Sequence, residues 1–208
     1  MANKKQKIII YIDGFNLYYG IRSLGQFYKW LDIQALARSF VKNDNTAIEV
    51  KYFTAKLNGS DESVYRQNIY LDALSKYCAK VQIILGCFAK ARQCKHCKNK
   101  NNEEKQTDVN IACEIMQDLY ENNFDIAYLI SGDSDLVAPV KAVVRLQKII
   151  IIACPPSRKS KELNEVASSY FDIDKNRLKK CQLPNEITTK RNPLERPEKW
   201  TKKETTGV

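Results

Sequence analysis

Asp133 and Asp135 stand two residues apart in the segment SGDSDL, Ser131 to Leu136. The segment follows the apolar run AYLI and precedes VAPVKAVVRL, so both carboxylates fall where a strand gives way to a helix. A second apolar run, KIIIYIDGFN, ends the same way on Asp13 and Asn16. A third acid, Asp108 in EKQTDVN, opens a strongly periodic helical stretch. In open α/β sheets ligands bind beyond the carboxyl ends of the strands. Carboxylates delivered there by separate elements suit a hard divalent cation such as Mg²⁺ or Mn²⁺. Each acid alone also has a plain structural use, since Asp is common in turns and helix caps. The expectation rests on the set: Asp13, Asp108 and Asp133 should bring their oxygens within about 10 Å of one another, around one or two hydrated ions.

The elements that must position these acids alternate along the chain. Apolar β-rich runs are predicted as strands at 7–12, 47–57, 81–85, 126–130 and 149–153, with a short edge strand at 170–173. Helices are predicted at 15–23, 33–41, 63–79, 108–120, 136–146 and 162–169. The 63–79 helix carries Tyr65, Ile69, Leu71, Leu74 and Tyr77 as its apolar stripe, with Asp61 or Ser60 near its cap; the 108–120 helix carries Ala112, Ile115, Met116 and Leu119. Alternating strands and helices imply right-handed crossovers and a mainly parallel central sheet, an α/β fold. The chain divides into a domain over residues 1–181 and a polar, proline-dotted basic tail over 182–208, with Trp200 as a docking point.

The 208 residues carry a formal net charge of +10, and the stretch from Lys175 onward holds 10 Lys or Arg against 4 Glu. Such a balance points to nucleic acid or another polyanion. No run approaches the roughly 20 apolar residues of a membrane span, and the charged start MANKKQKIII followed by Asp13 is not a signal peptide. Seven cysteines, an odd number set in apolar surroundings, suit a reduced cytoplasmic protein; Cys113 and Cys154 are expected to be buried. The single histidine, His96, excludes a histidine pair as acid and base. Cys94 and Cys97 have zinc-knuckle spacing, but a structural Zn²⁺ takes four ligands and no second pair follows, so a reduced loop is expected unless a partner chain completes the site. No glycine-rich phosphate loop is present.

IDGFN after the first strand, EKQTDVNIA opening a helix and SGDSDL after a later strand, in that order and followed by KIIIIACPP, resemble the NYN domain family of PIN-like nucleases, in its LabA-like, DUF88 branch. The resemblance runs over about residues 7–175. It implies a Rossmann-like, PIN-type three-layer fold and a Mg²⁺- or Mn²⁺-dependent ribonuclease that hydrolyses RNA phosphodiester bonds. The rival class is a non-catalytic nucleic-acid-binding or regulatory module. Carried over by position, Asp13, Asp108, Asp133 and Asp135 are the catalytic acids, the first three holding the metal, with Asn16 as polar support. Glu114 lies about 120° round the helix from Asp108 and is left out of the metal's ligands. Lys105, Ser131 and the Ser157, Arg158, Lys159 segment are the remaining candidates for substrate contact, with Asn16 among them. Lys90, Arg92, Lys95, Lys98, Lys100 and the tail could line a nucleic-acid path. Tyr18, Tyr19, Phe27, Tyr28 and Trp30 could stack on bases, although core packing is the commoner use of such residues. The RNA target, tolerance of DNA and the oligomeric state, with a homodimer among the options, are not written in the sequence.

Overall fold

The computed structural model describes residues 6–41, 46–58, 61–88, 92–93, 100–101, 104–190 and 192–201. Six strands, β1 (Gln6–Asp13), β2 (Thr46–Ala55), β3 (Val81–Phe88), β4 (Ile126–Ile130), β5 (Ile149–Cys154) and β6 (Ser169–Asp172), form one parallel sheet in the order β3-β2-β1-β4-β5-β6. A two-residue strand, Glu104–Lys105, adds antiparallel to the outer side of β3. The order reverses at β1, whose neighbours are β2 and β4. This is the doubly wound arrangement, with its ligand crevice at the switch point between β1 and β4.

β1 lies at the centre because it is apolar on both faces. Ile8, Ile10 and Ile12 enter one core with α1 (Gly14–Arg22), α2 (Ile33–Arg38), α3 (Glu62–Tyr77) and Leu178 of α7 (Lys175–Lys180). Ile9 and Tyr11 enter the other with α4 (Thr107–Tyr120), α5 (Val137–Arg145) and Leu163 of α6 (Lys161–Val166). The result is a three-layer α/β fold. Asp61 caps α3 as expected, accepting from the backbone N–H groups of Ser63 and Val64. Pro139 sits in the first turn of α5, where its missing N–H has no intrahelical partner to lose.

The apolar stripes differ in part from expectation. Of the expected α3 stripe Leu71 and Leu74 are buried, with Ala73 beside them, while Tyr65 and Tyr77 are exposed. Tyr65 is nine residues before Leu74, about half a turn round the helix, so the two cannot share a face. In α4, Ile111, Ile115 and Leu119 form the buried row while Met116 and Cys113 face out; Cys154 is buried as expected. α7 had no clear periodic signal, being charged along KNRLKK; Asp174 caps it and Leu178 alone anchors it.

The described part of the tail packs on the domain instead of leaving it. Leu183, Ile187 and Trp200 are buried in the α1–α3 core. Leu183 donates its N–H to the Trp30 carbonyl, and the Trp30 indole donates to the Pro184 carbonyl at 2.7 Å. Trp200, Trp30 and Tyr70 meet ring to ring at 6.1–6.3 Å. Arg196 is turned inward, donating to the backbone carbonyls of Phe27 and Trp200 and to Gln182, and burial pulls its pKa down to about 10. Among the described residues no helix is long and apolar enough to cross a membrane.

Candidate functional site

Asp13 ends β1 and caps α1, accepting at Oδ1 from the Asn16 N–H at 2.9 Å. Its other oxygen accepts from the Ser131 hydroxyl, also at 2.9 Å, just beyond the end of β4. Ser131 is fully buried, and its oxygen accepts in turn from the Asp133 N–H at 3.1 Å. The Gly132 N–H donates to Asn16 Oδ1 at 3.2 Å. The two switch-point loops are therefore laced together, and Asp13 and Asp133 are fixed relative to each other before any ligand arrives.

Asp108 joins them from the first turn of α4, where the helix dipole favours a carboxylate. Gln106, in the left-handed region at φ 78°, turns the chain into this helix. One oxygen each from Asp13, Asp108 and Asp133 lies within 4.8 Å of the others, a group drawn from three separate elements. Burial pushes the Asp13 carboxyl above its ordinary pKa, and the Asp133 charge adds to the push, while hydrogen bonds from Asn16 and Ser131 pull it back. Burial and the Asp13 charge also raise the Tyr52 phenol. The donor set is all oxygen and a divalent cation would offset the repulsion among its charges, so these three residues fit Mg²⁺ or Mn²⁺.

Two glycines are required by close approach. A side chain on Gly14 would strike the Phe53 carbonyl and the Tyr52 ring of β2, and one on Gly132 would overlap the Arg158 backbone. The second contact brings the Ser157–Lys159 segment against the Asp133 loop, on the rim expected for it. Ser157 is exposed at φ 57°. Arg158 lies over the Tyr19 ring at 5.3 Å, and Lys159 lies over Tyr170 at 4.8 Å, with Asp172 at 3.5 Å.

The remaining expected residues are placed less centrally. Asp135 is exposed in the single turn Ser134–Leu136 and is not part of the close group; its N–H donates to Asp133 Oδ1, holding that carboxylate. Ser131 and Asn16 spend their polar atoms on the loops themselves. Lys105 pairs through its backbone with Cys87 at the edge of β3, while its side chain lies outside the described residues. So do Cys94, Cys97 and His96, and with them the zinc expectation. Trp30 and Tyr28 are buried in the core, whereas Tyr18 and Tyr19 are exposed. Glu114 accepts from Lys51 at 2.7 Å, consistent with its exclusion from the metal's ligands.

Sequence reasoning missed a cleft between α1 and α3 of about 400 Å³, over the carboxyl end of β2. Gly14 and Phe15, which follow Asp13 in the chain, line it together with tyrosines and with Arg22, Lys29, Arg66 and Lys199. The lining is spread over four segments, so no local pattern announces it.

The NYN domain model matches residues 7–174. A relative, 6-hydroxy-3-succinoylpyridine 3-monooxygenase HspA of Pseudomonas putida (strain DSM 28022 / S16), is 31% identical over 234 aligned residues, covering 92% of this chain and 74% of that protein. A crystal structure of a protein of unknown function from Vibrio parahaemolyticus RIMD 2210633 superposes with a TM-score of 0.57 at 18% identity, covering 85% of this chain and 98% of that one. That likeness concerns the fold. With the match running from the first core strand past the last, the chain belongs to the NYN domain family.

Proposed function

We propose that this protein is a Mg²⁺- or Mn²⁺-dependent endoribonuclease that hydrolyses phosphodiester bonds of RNA in the cytoplasm. The observation that carries the reading is the meeting of Asp13, Asp108 and Asp133 within 4.8 Å at the sheet's switch point. The family is related to PIN-like nucleases, and the net charge of +10 favours a polyanionic substrate. The five described cysteines are all unbonded, which suits a reducing compartment.

A divalent ion in this site supplies Lewis-acid polarisation of a phosphoryl oxygen and a bound water of lowered pKa. Asp13, Asp108 and Asp133 would hold it. Ser131 and Asn16 keep Asp13 and the Asp133 loop in register, and the Asp135 N–H orients the Asp133 carboxylate. Arg158, Lys159 and Ser157 offer cations and a hydroxyl on the same rim for the strand's other phosphates. Lys105 is a further phosphate contact under this reading.

Cleavage of a mixed RNA substrate should require Mg²⁺ or Mn²⁺ and stop with EDTA. Asp13→Asn and Asp133→Asn should each lower the rate by at least about 100-fold, the usual scale for loss of a group that stabilises developing charge. Undiminished cleavage by the purified double variant would assign the activity elsewhere. RNA binding without cleavage at any metal concentration would identify a non-catalytic module.

A second reading comes from the Pseudomonas relative, whose name describes oxygenation of a succinoyl-bearing hydroxypyridine. The observation on this chain that favours it is the tyrosine- and cation-lined cleft. Consumption of 6-hydroxy-3-succinoylpyridine with dioxygen and a reductant, lost in Lys29→Met, would establish it over RNA cleavage.

A further inference from the structure

We propose that the cleft between α1 and α3 is a nucleotide pocket that takes one base of the RNA strand and sets its phosphate against Lys29. The placement beside the cut bond rests on the nuclease reading; the pocket itself rests on the cleft. At about 400 Å³ it is within the range of small-molecule sites, roughly 300–1,000 Å³.

Its chemistry is one-sided. Not one of its lining residues is acidic, while Lys29 and Arg66 both face it. Lys29 is buried at 7% exposure, and its ammonium donates to the Tyr18 hydroxyl at 3.0 Å and lies 4.5 Å from the same ring's centroid. Among the described residues no carboxylate comes within ion-pair distance of it. The Lys29 ammonium lines the cleft with a neutral phenol as its described hydrogen-bond partner, so an anion entering there would give it a charge-assisted bond. Arg66 uses one guanidinium nitrogen on the exposed Glu62, which leaves its fork able to reach a second acceptor. The walls are aromatic, and every base has a π-face that such rings accept. A planar ring carrying an anionic group is the chemical class that matches.

A nucleotide is favoured over a small aromatic acid for two reasons. Gly14 and Phe15, the two residues after Asp13, line the cleft, so a base held there would sit beside the element that Asp13 caps. The mouth also carries Tyr19, which Arg158 overlies, extending the cationic surface toward the Asp133 loop. One captured base beside the cut would give the enzyme a nucleotide preference that the acid cluster cannot supply.

The test is calorimetric titration of the full chain in EDTA with the four nucleoside 5′-monophosphates and, separately, with 6-hydroxynicotinate. At least one nucleotide should bind with sub-millimolar affinity. Lys29→Met and the more exposed Arg66→Gln should each weaken it by about tenfold, the size expected for one charge-assisted hydrogen bond. Absence of binding by all four nucleotides at millimolar concentration, binding of the aromatic acid alone, or nucleotide binding unchanged in both variants would overturn the proposal. Because metal is absent, the outcome is separable from cleavage: nucleotide binding without RNA cleavage keeps the pocket and removes the nuclease, and cleavage without nucleotide binding does the reverse.

Discussion

Asp13 is both buried and placed beside another carboxylate, and its folded-state pKa is raised by burial first and by Asp133 second. A carboxyl whose pKa is higher folded than unfolded favours the native state most below its unfolded pKa, and that contribution is lost as pH rises through the folded value. Above its unfolded pKa Asp13 therefore costs the native state stability, and the cost grows until pH passes the folded pKa. Asp13→Asn should raise Tm in EDTA, by about 2–4 °C for each kcal/mol relieved in a chain of this size. The gap should close as pH falls through the folded pKa. Saturating Mn²⁺ should stabilise the unaltered protein, by about 2.7 kcal/mol at a hundredfold excess over Kd, and the variant far less. Thermal scans with and without Mn²⁺ check both; a variant less stable at pH 7 and still responsive to Mn²⁺ would mean that Asp13 is not a ligand.

α4 carries Asp108 into the site, and a buried polar network holds that helix to the sheet. Lys51 of β2 bonds Glu114 and Asp118 of α4, each at 2.7 Å, and Tyr11 of β1 donates to Asp118 at 2.6 Å. Lys51 and Asp118 are almost wholly buried. Removing one partner of a buried pair leaves the other uncompensated, so Lys51→Met should cost about 3–5 kcal/mol in urea unfolding. Pairing it with Asp118→Leu should recover part of that loss, because the stranded carboxylate goes with it. A single variant of unchanged stability would show that the helix is held by Ile111, Ile115 and Leu119 alone.

For the whole molecule, the tail carries two readings, a basic appendage that binds phosphate and a strap that Trp200 anchors on the domain. As part of a nucleic-acid path its lysines and arginines would make RNA affinity salt-dependent, and removing the tail would flatten that dependence. Arg196 instead serves backbone carbonyls, and Leu183, Ile187 and Trp200 complete the α1–α3 core. Loss of one large buried side chain costs about 2–5 kcal/mol, and truncation after Cys181 removes three. The truncated protein should lose cooperative unfolding or fall sharply in Tm, although the family match ends at residue 174. A truncated domain of native Tm whose RNA affinity loses salt dependence would restore the appendage reading.

The sequence by itself determined the sheet and its acids. Runs such as KIIIYI and KIIIIA are apolar on both faces, which only a covered parallel strand satisfies, and acids placed directly after such strands must emerge on one rim. Asp13 and Asp133 are legible for that reason, and Asp108 because it opens a periodic helix. What the tertiary structure alone decided depends on residues far apart in the chain: that Ser131 is buried and serves Asp13, that Gly132 is small because Arg158 passes over it, that Asp135 stays outside the close group, and that Trp200 returns to meet Trp30. The cleft of Lys29 and Arg66 belongs with these. Charge and aromaticity are visible residue by residue, but a cavity exists only once α1, α3, β2 and the tail are packed, because its emptiness is a property of the space between them.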